Sequence, residues 1–313
     1  MKISTSPPSA LRVPGNRRRR RLIGSLTAAL LALALPMFGS TAAEAATTAQ
    51  AATGVFSTFG VADWDSDGHP DIITRHNGTN DLWLYPGDGR RGYSSQTPVK
   101  IGNGWGGYTS FGVADWDSDG HPDIVTRNDG TNDLWLYPGD GRRGYSGQAP
   151  VKIGNGWGGL SSFGVADWDS DGHPDIVTRN DGTNDLWLYP GDGRRGYSGQ
   201  APVKIGNGWG GLSSFGVADW DSDGHPDIVT RNDGTNDLWL YPGDGRRGYS
   251  GQAPVKIGNG WGGYTYFGLA DWDSDGHPDI VTKNNGTNDL WLYPGDGRRG
   301  YSSQTPVKIG NGW

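Results

Sequence analysis

The 313-residue sequence has no cysteine, so no disulfide holds this fold and something else must staple it. No stretch carries the 3.6-residue apolar period of an amphipathic helix, which leaves strands as the building material. A nucleophile elbow and a P-loop are also missing. Large aliphatic side chains are in short supply, so the core must come from stacked aromatics and the Val, Ile and Leu of short strands. The apolar run Leu22 to Leu35 is 14 residues long, too short for a comfortable membrane span.

That run sits in a leader. Arg17 to Arg21 precede it as a charged segment, and Ala43-Glu44-Ala45 follows with small-x-small spacing. Residues 1–45 read as a secretory signal and 46–53 as an Ala/Thr linker, so the expected location is extracellular. Arg19-Arg20-Arg21-Leu22-Ile23 also fits a twin-arginine signal. Seven of the 27 basic residues and one of the 34 acidic ones precede Ala46. The remainder therefore has 33 acidic against 20 basic residues, a formal charge of −13, which argues against nucleic acid as a partner.

From Gly54 to Trp313 the chain is five copies of one 52-residue unit, 260 residues in all. The marker Phe-Gly-Val-Ala-Asp-Trp-Asp-Ser-Asp-Gly-His-Pro-Asp starts at Phe59, Phe111, Phe163 and Phe215, and returns at Phe267 with Leu269 in place of Val. The last copy stops five residues short of the next Phe, and Gly54 to Thr58 stand in the frame of the missing five. Two ends that add up to one unit suit a ring, and no polar capping repeat of an open stack is visible.

Within the first unit, strands are expected at Phe59–Ala62, Ile72–Arg75, Leu82–Tyr85 and Val99–Ile101. Asn77-Gly78 reads as the tight turn that takes positive φ, and Pro86 to Pro98 is a 13-residue loop. Four short strands repeated five times predict an all-β fold, a β-propeller of five blades with four antiparallel strands each, over residues 54–313.

The run Asp63-Trp64-Asp65-Ser66-Asp67-Gly68-His69-Pro70-Asp71 sets carboxylates at loop positions 1, 3, 5 and 9, with Gly68 for the sharp turn. Such spacing suits a hard, flexibly coordinated cation, Ca²⁺ before Mg²⁺. It is not an EF-hand, because Thr74 stands where the twelfth-position Glu belongs and a β-branched run follows. Without a cation the converging carboxylates would repel one another.

Together with Phe59-Gly60 and Val61-Ala62-Asp63, the loop resembles those of the FG-GAP/VCBS repeat family of integrin-type propellers and secreted bacterial proteins. The resemblance covers residues 54–313 and implies a propeller holding Ca²⁺ on its blade loops, about five ions at one per repeat. It implies ligation by the side chains of Asp63, Asp65, Asp67 and Asp71 and by the backbone carbonyl of His69. The same roles pass to Asp115, Asp117, Asp119, His121 and Asp123, and to Asp167, Asp169, Asp171, His173 and Asp175. They pass also to Asp219, Asp221, Asp223, His225 and Asp227, and to Asp271, Asp273, Asp275, His277 and Asp279. Integrin-type members have seven blades, which leaves open a five-blade ring or a ring completed by a partner.

Near-identical units give any catalytic set in five copies, and the unique residues His76, Lys283 and Tyr266 form no nucleophile–base set, so no enzyme activity is expected. Repetition suits multivalent binding, with Arg90, Arg91, Tyr93 and Trp105 as candidate contacts to a glycan, a cell wall or an extracellular polymer. The alternative is a scaffold that docks a secreted protein. A Trp at one place in every unit also suits a wedge between blades, which applies to Trp83 and to Trp105.

Overall fold

Each unit folds into four consecutive antiparallel strands, in the first β1 (Phe56–Ala62), β2 (Asp71–His76), β3 (Asp81–Tyr85) and β4 (Val99–Gly102). The computed structural model describes residues 56–92, 94–144, 146–196, 198–248, 250–300 and 302–313. The leader 1–45, the linker 46–53 and the candidate contact Tyr93 lie outside the described residues. Among the described residues no helix is long and apolar enough to cross a membrane.

The five sheets stand around one axis as a five-bladed β-propeller. The innermost strands Phe56–Ala62, Tyr108–Ala114, Leu160–Ala166, Leu212–Ala218 and Tyr264–Ala270 each contact the next, and the last contacts the first. The ring thus closes with five blades. It does not close by sharing a sheet between the two ends of the chain. Blade one is built wholly from residues 56–102 and blade five wholly from 264–311. Side chains make the seam: the rings of Trp313 and Tyr85 lie 4.5 Å apart, and those of Trp313 and Phe56 lie 5.6 Å apart. Trp105 repeats this contact on Tyr137 at 4.5 Å and on Tyr108 at 5.7 Å, so the seam is an ordinary blade boundary.

Every boundary encloses one apolar cluster. Between blades one and two, Phe59, Trp64, Ile73, Leu82, Leu84, Ile101 and Trp105 meet Ile124, with Val113 and Tyr137 packed alongside. Leu82 and Leu84 alternate with half-buried Trp83 and Tyr85, the period-two pattern of a strand between unlike surfaces. Trp64 and Trp105 are therefore the wedges of each unit, whereas Trp83 keeps part of its surface exposed.

Strand β1 begins three residues before the expected Phe59, because Phe56 to Thr58 pair with Thr74 to His76. A bulge between Thr58 and Gly60 leaves Phe59 unpaired and turns it into the core, edge-on to Trp105 at 5.3 Å. The turn after β2 also departs from expectation. Asn80, not Gly78, takes the left-handed conformation (φ 57°), and its carbonyl receives Trp105 N–H at 2.9 Å.

Close approach at the axis demands glycine after the bulge. A Cβ on Gly164 would stand 2.8 Å from Val217 Cγ2 of the next blade. Gly164→Ala is expected to cost about 1–3 kcal/mol through overpacking; an unchanged urea midpoint would show that the inner strands have room to part. Around the same axis the hydroxyls of Ser110, Ser162 and Ser214 donate to the carbonyls of Phe59, Phe111 and Phe163 at 2.6, 2.7 and 2.8 Å, linking successive blades. A channel of about 250 Å³ remains, into whose lining blade five contributes Tyr266.

Candidate functional site

The Asp-rich loop joins β1 to β2 and curls around its own first residue. Asp63 Oδ1 accepts Asp67 N–H at 3.0 Å and Oδ2 accepts Gly68 N–H at 2.9 Å. Gly68 (φ 92°) makes the turn that the sequence assigns to it, and Ser66 (φ 57°) joins it in left-handed backbone. Beneath the loop Asp71 is fully buried. Its Oδ2 accepts Trp64 and Asp65 N–H at 3.0 and 3.3 Å, and its Oδ1 accepts Gly87 N–H at 2.9 Å. Asp71 therefore ties the loop to the far end of β3.

Asp63, Asp65 and Asp71 bring one carboxylate oxygen each to within 4.8 Å of one another, and the same triad recurs in all five blades. Burial, with Asp65 and Asp67 nearby, pushes Asp71 up to about 7 despite its three N–H donors. Asp123, Asp175, Asp227 and Asp279 are pushed up likewise to about 7. Burial also raises Asp65, against the pull of Arg143. The Asp65 side chain is 2% exposed, yet its Oδ1 has no hydrogen-bond partner, and the Oδ1 atoms of Asp117, Asp169 and Asp273 share that state. An orphaned, buried anionic oxygen beside two other carboxylates is the donor set of a divalent cation. The residues fit one: Asp63, Asp65 and Asp71 would hold it, and it would supply the positive charge that lets all three stay ionised.

Asp67, expected as a fourth side-chain ligand, is not one of these three. Asp67 uses Oδ1 to accept His69 N–H at 3.0 Å and Oδ2 to accept Arg143 Nη2 at 3.0 Å. The ring of His69 lies against the neighbouring blade, with Nδ1 3.3 Å from Ser274 Oγ in that blade's loop. Its counterparts His121, His173, His225 and His277 meet Ser66, Ser118, Ser170 and Ser222 at 3.1–3.3 Å.

The expected ligand contacts also find definite places. Arg90 is exposed. Arg91 reaches Asp273 and Asp275 across the seam, so it is a clasp between blades. Trp105 is 4% exposed, yet it joins the lining of an open groove of about 520 Å³ between blades one and two, with Lys100, Asn103, Tyr108 and Tyr137. Its counterpart between blades three and four holds about 500 Å³, lined by Lys204, Asn207, Trp209 and Tyr241. Of the polar and aromatic lining, only Trp105 is among the contacts expected from the sequence; Lys100, Asn103, Tyr108 and Tyr137 are additions. Tyr137 closes a strand of the next unit, and nothing local to Trp105 signals that the two meet.

A family model described as an FG-GAP-like repeat matches residues 63–126, 115–178, 167–230 and 219–282. No curated protein matches the chain. Among solved structures, the chain is similar to an Agrocybe aegerita lectin whose structure concerns specific recognition of non-reducing terminal N-acetylglucosamine, at 14% identity and a TM-score of 0.43, covering 83% of this chain and 81% of that one. It is also similar to a quinonprotein alcohol dehydrogenase-like protein of Bacteroides thetaiotaomicron, at 11% identity and a TM-score of 0.36, covering 82% of this chain and 66% of that one.

Proposed function

Since the chain belongs to the FG-GAP-like repeat family, we propose that it is a secreted, non-catalytic propeller, stabilised by calcium, that binds carbohydrate in the grooves between its blades. The inter-blade groove carries this reading. It combines aromatic edges from Trp105, Tyr108 and Tyr137 with the amide of Asn103 and the ammonium of Lys100, in an open space large enough for a sugar residue or two. Aromatic surface packs on the C–H face of a pyranose, and amide and ammonium groups bond to its hydroxyls. Trp105, Tyr137, Asn103 and Lys100 recur in every unit, and their repetition around the ring favours a polymer or a decorated surface, where linked weak sites gain about 10²–10⁴ in avidity. The leader at residues 1–45 supports export, and the five carboxylate triads support Ca²⁺, a hard cation with an appetite for oxygen ligands.

The test is a glycan array with protein beginning at Ala46, run with calcium and again with chelator. Binding to one sugar class that strengthens on dense surfaces is the expected result. Exposed Asn103 and its counterparts Asn155, Asn207, Asn259 and Asn311, changed together to Ala, should abolish that binding and leave the melting temperature in place. Folded, cation-loaded protein that binds no glycan would instead direct attention to a protein partner.

A further inference from the structure

We infer that each cation loop is completed by an arginine from the next blade, so that Arg143 is a positioning residue for the loop at 63–71 and not for the loop of its own blade. This rests on the cation reading above. Arg143 lies on the long loop of blade two. Its Nε donates to Asp65 Oδ2, and its Nη2 donates to Asp67 Oδ2 at 3.0 Å. The contact is made five times around the ring: Arg195 on Asp117 and Asp119, Arg247 on Asp169 and Asp171, Arg299 on Asp221 and Asp223, and Arg91 on Asp273 and Asp275.

The grip leaves Asp65 divided between two positive partners. Oδ2 accepts the guanidinium, which leaves Oδ1, buried and without a hydrogen bond, as the oxygen Asp65 has to offer the triad. A carboxylate held by one oxygen is fixed in rotation, and its second oxygen is presented where the other two ligands converge. Outer partners orient metal-binding carboxylates in this way, and losing one typically weakens the metal 10–100-fold. Two further contacts hold the same pair of blades in register. Trp64 Nε1 donates to Gly144 O at 3.2 Å, and Ser66 Oγ lies 3.2 Å from His121 Nδ1. Arg143 therefore arrives on an anchored loop and needs little ordering to reach its carboxylates.

Calcium alone, titrated calorimetrically into the full protein, tests this by counting sites. The parent should take up five equivalents; no uptake would sink the cation reading itself and this proposal with it. Arg143→Gln should leave four sites at parental affinity and weaken one about tenfold. Double variants say which one. Combined with Asp65→Asn, which disables the loop at 63–71, Arg143→Gln should remove nothing further and leave four intact sites. Combined with Asp117→Asn, which disables the loop of blade two, it should leave three. The reverse pattern, unchanged affinity in the single variant, or tighter binding because the guanidinium had been competing for the carboxylates would each overturn the assignment. Should Arg143→Gln fail to fold, Arg143→Lys, which keeps the charge but loses the two-pronged grip, is counted in the same way.

Discussion

Stripping divalent cations from the folded protein is expected to lower its melting temperature by tens of degrees. A ligand present at a hundred times its dissociation constant contributes about 2.7 kcal/mol per site. For a chain of this size each kcal/mol moves the midpoint by about 2–4 °C. One loop alone then accounts for about 5–10 °C, and the triad occurs in five loops. The stripped protein should also respond to pH in a definite direction. Burial raises Asp71, Asp123, Asp175, Asp227 and Asp279 in the fold from 3.8 to about 7. A carboxyl raised on folding favours the fold fully below its unfolded value, and that contribution is lost as pH rises through the folded value. Melting temperature without cation should therefore fall between about pH 4 and 7. Saturating calcium should flatten the slope, because a bound cation favours the ionised form. Scanning calorimetry across pH, with and without calcium, checks both. A melting temperature indifferent to chelation, in protein shown by elemental analysis to contain no calcium, would remove the cation from the account.

Asp175→Ala is the single substitution expected to do most damage. Its carboxylate, fully buried in blade three, accepts Trp168 N–H at 3.0 Å, Asp169 N–H at 3.3 Å and Gly191 N–H at 2.9 Å. Removing it strands three backbone donors where water does not reach, at about 1–3 kcal/mol each. A loss of about 3–9 kcal/mol follows before any effect on the cation is added. Asp175→Asn keeps one acceptor oxygen but turns an NH₂ toward N–H donors, so it should fall between parent and Ala. Asp171→Ala makes the contrast: that side chain is partly exposed, and its loss should cost no more than about 1 kcal/mol in cation-free protein. Urea midpoints of the three variants in chelator rank them. Equal midpoints for Asp175→Ala and parent would mean that the loop reorganises to satisfy its donors.

What the sequence makes legible is what lies within one unit. The 52-residue period, the four strands and the carboxylates at loop positions 1, 3 and 9 can each be read from neighbouring residues, and the structure contains them. What crosses a blade boundary is not legible. The loop carboxylate Asp67 gives no local sign that Arg143, 76 residues away, grips one of its oxygens. Arg91 reads as a candidate glycan contact, and nothing near it in sequence signals Asp273, 182 residues away, on which the closed ring sets it. Trp83 and Trp105 look alike as repeated tryptophans; strand alternation leaves the first partly exposed and the bulge at Phe59 buries the second. Such contacts follow from how the blades are arrayed, and no short spacing records that array.

Because no blade borrows a strand from the other end of the chain, folding can keep pace with the arrival of the polypeptide. Every sheet forms from fewer than 50 consecutive residues, so its pairings close short loops and form early. Each new blade then settles on the one before it, whose apolar face is already in place. The packing of Trp313 against Tyr85 and Phe56 joins residues more than 220 positions apart, and it waits for the final unit. The same locality carries a hazard, since units this alike can pair with a neighbour's strand as readily as with their own. The residues that set one blade apart, such as Tyr266 in the channel lining, thus bear on the order of assembly as well as on the finished ring.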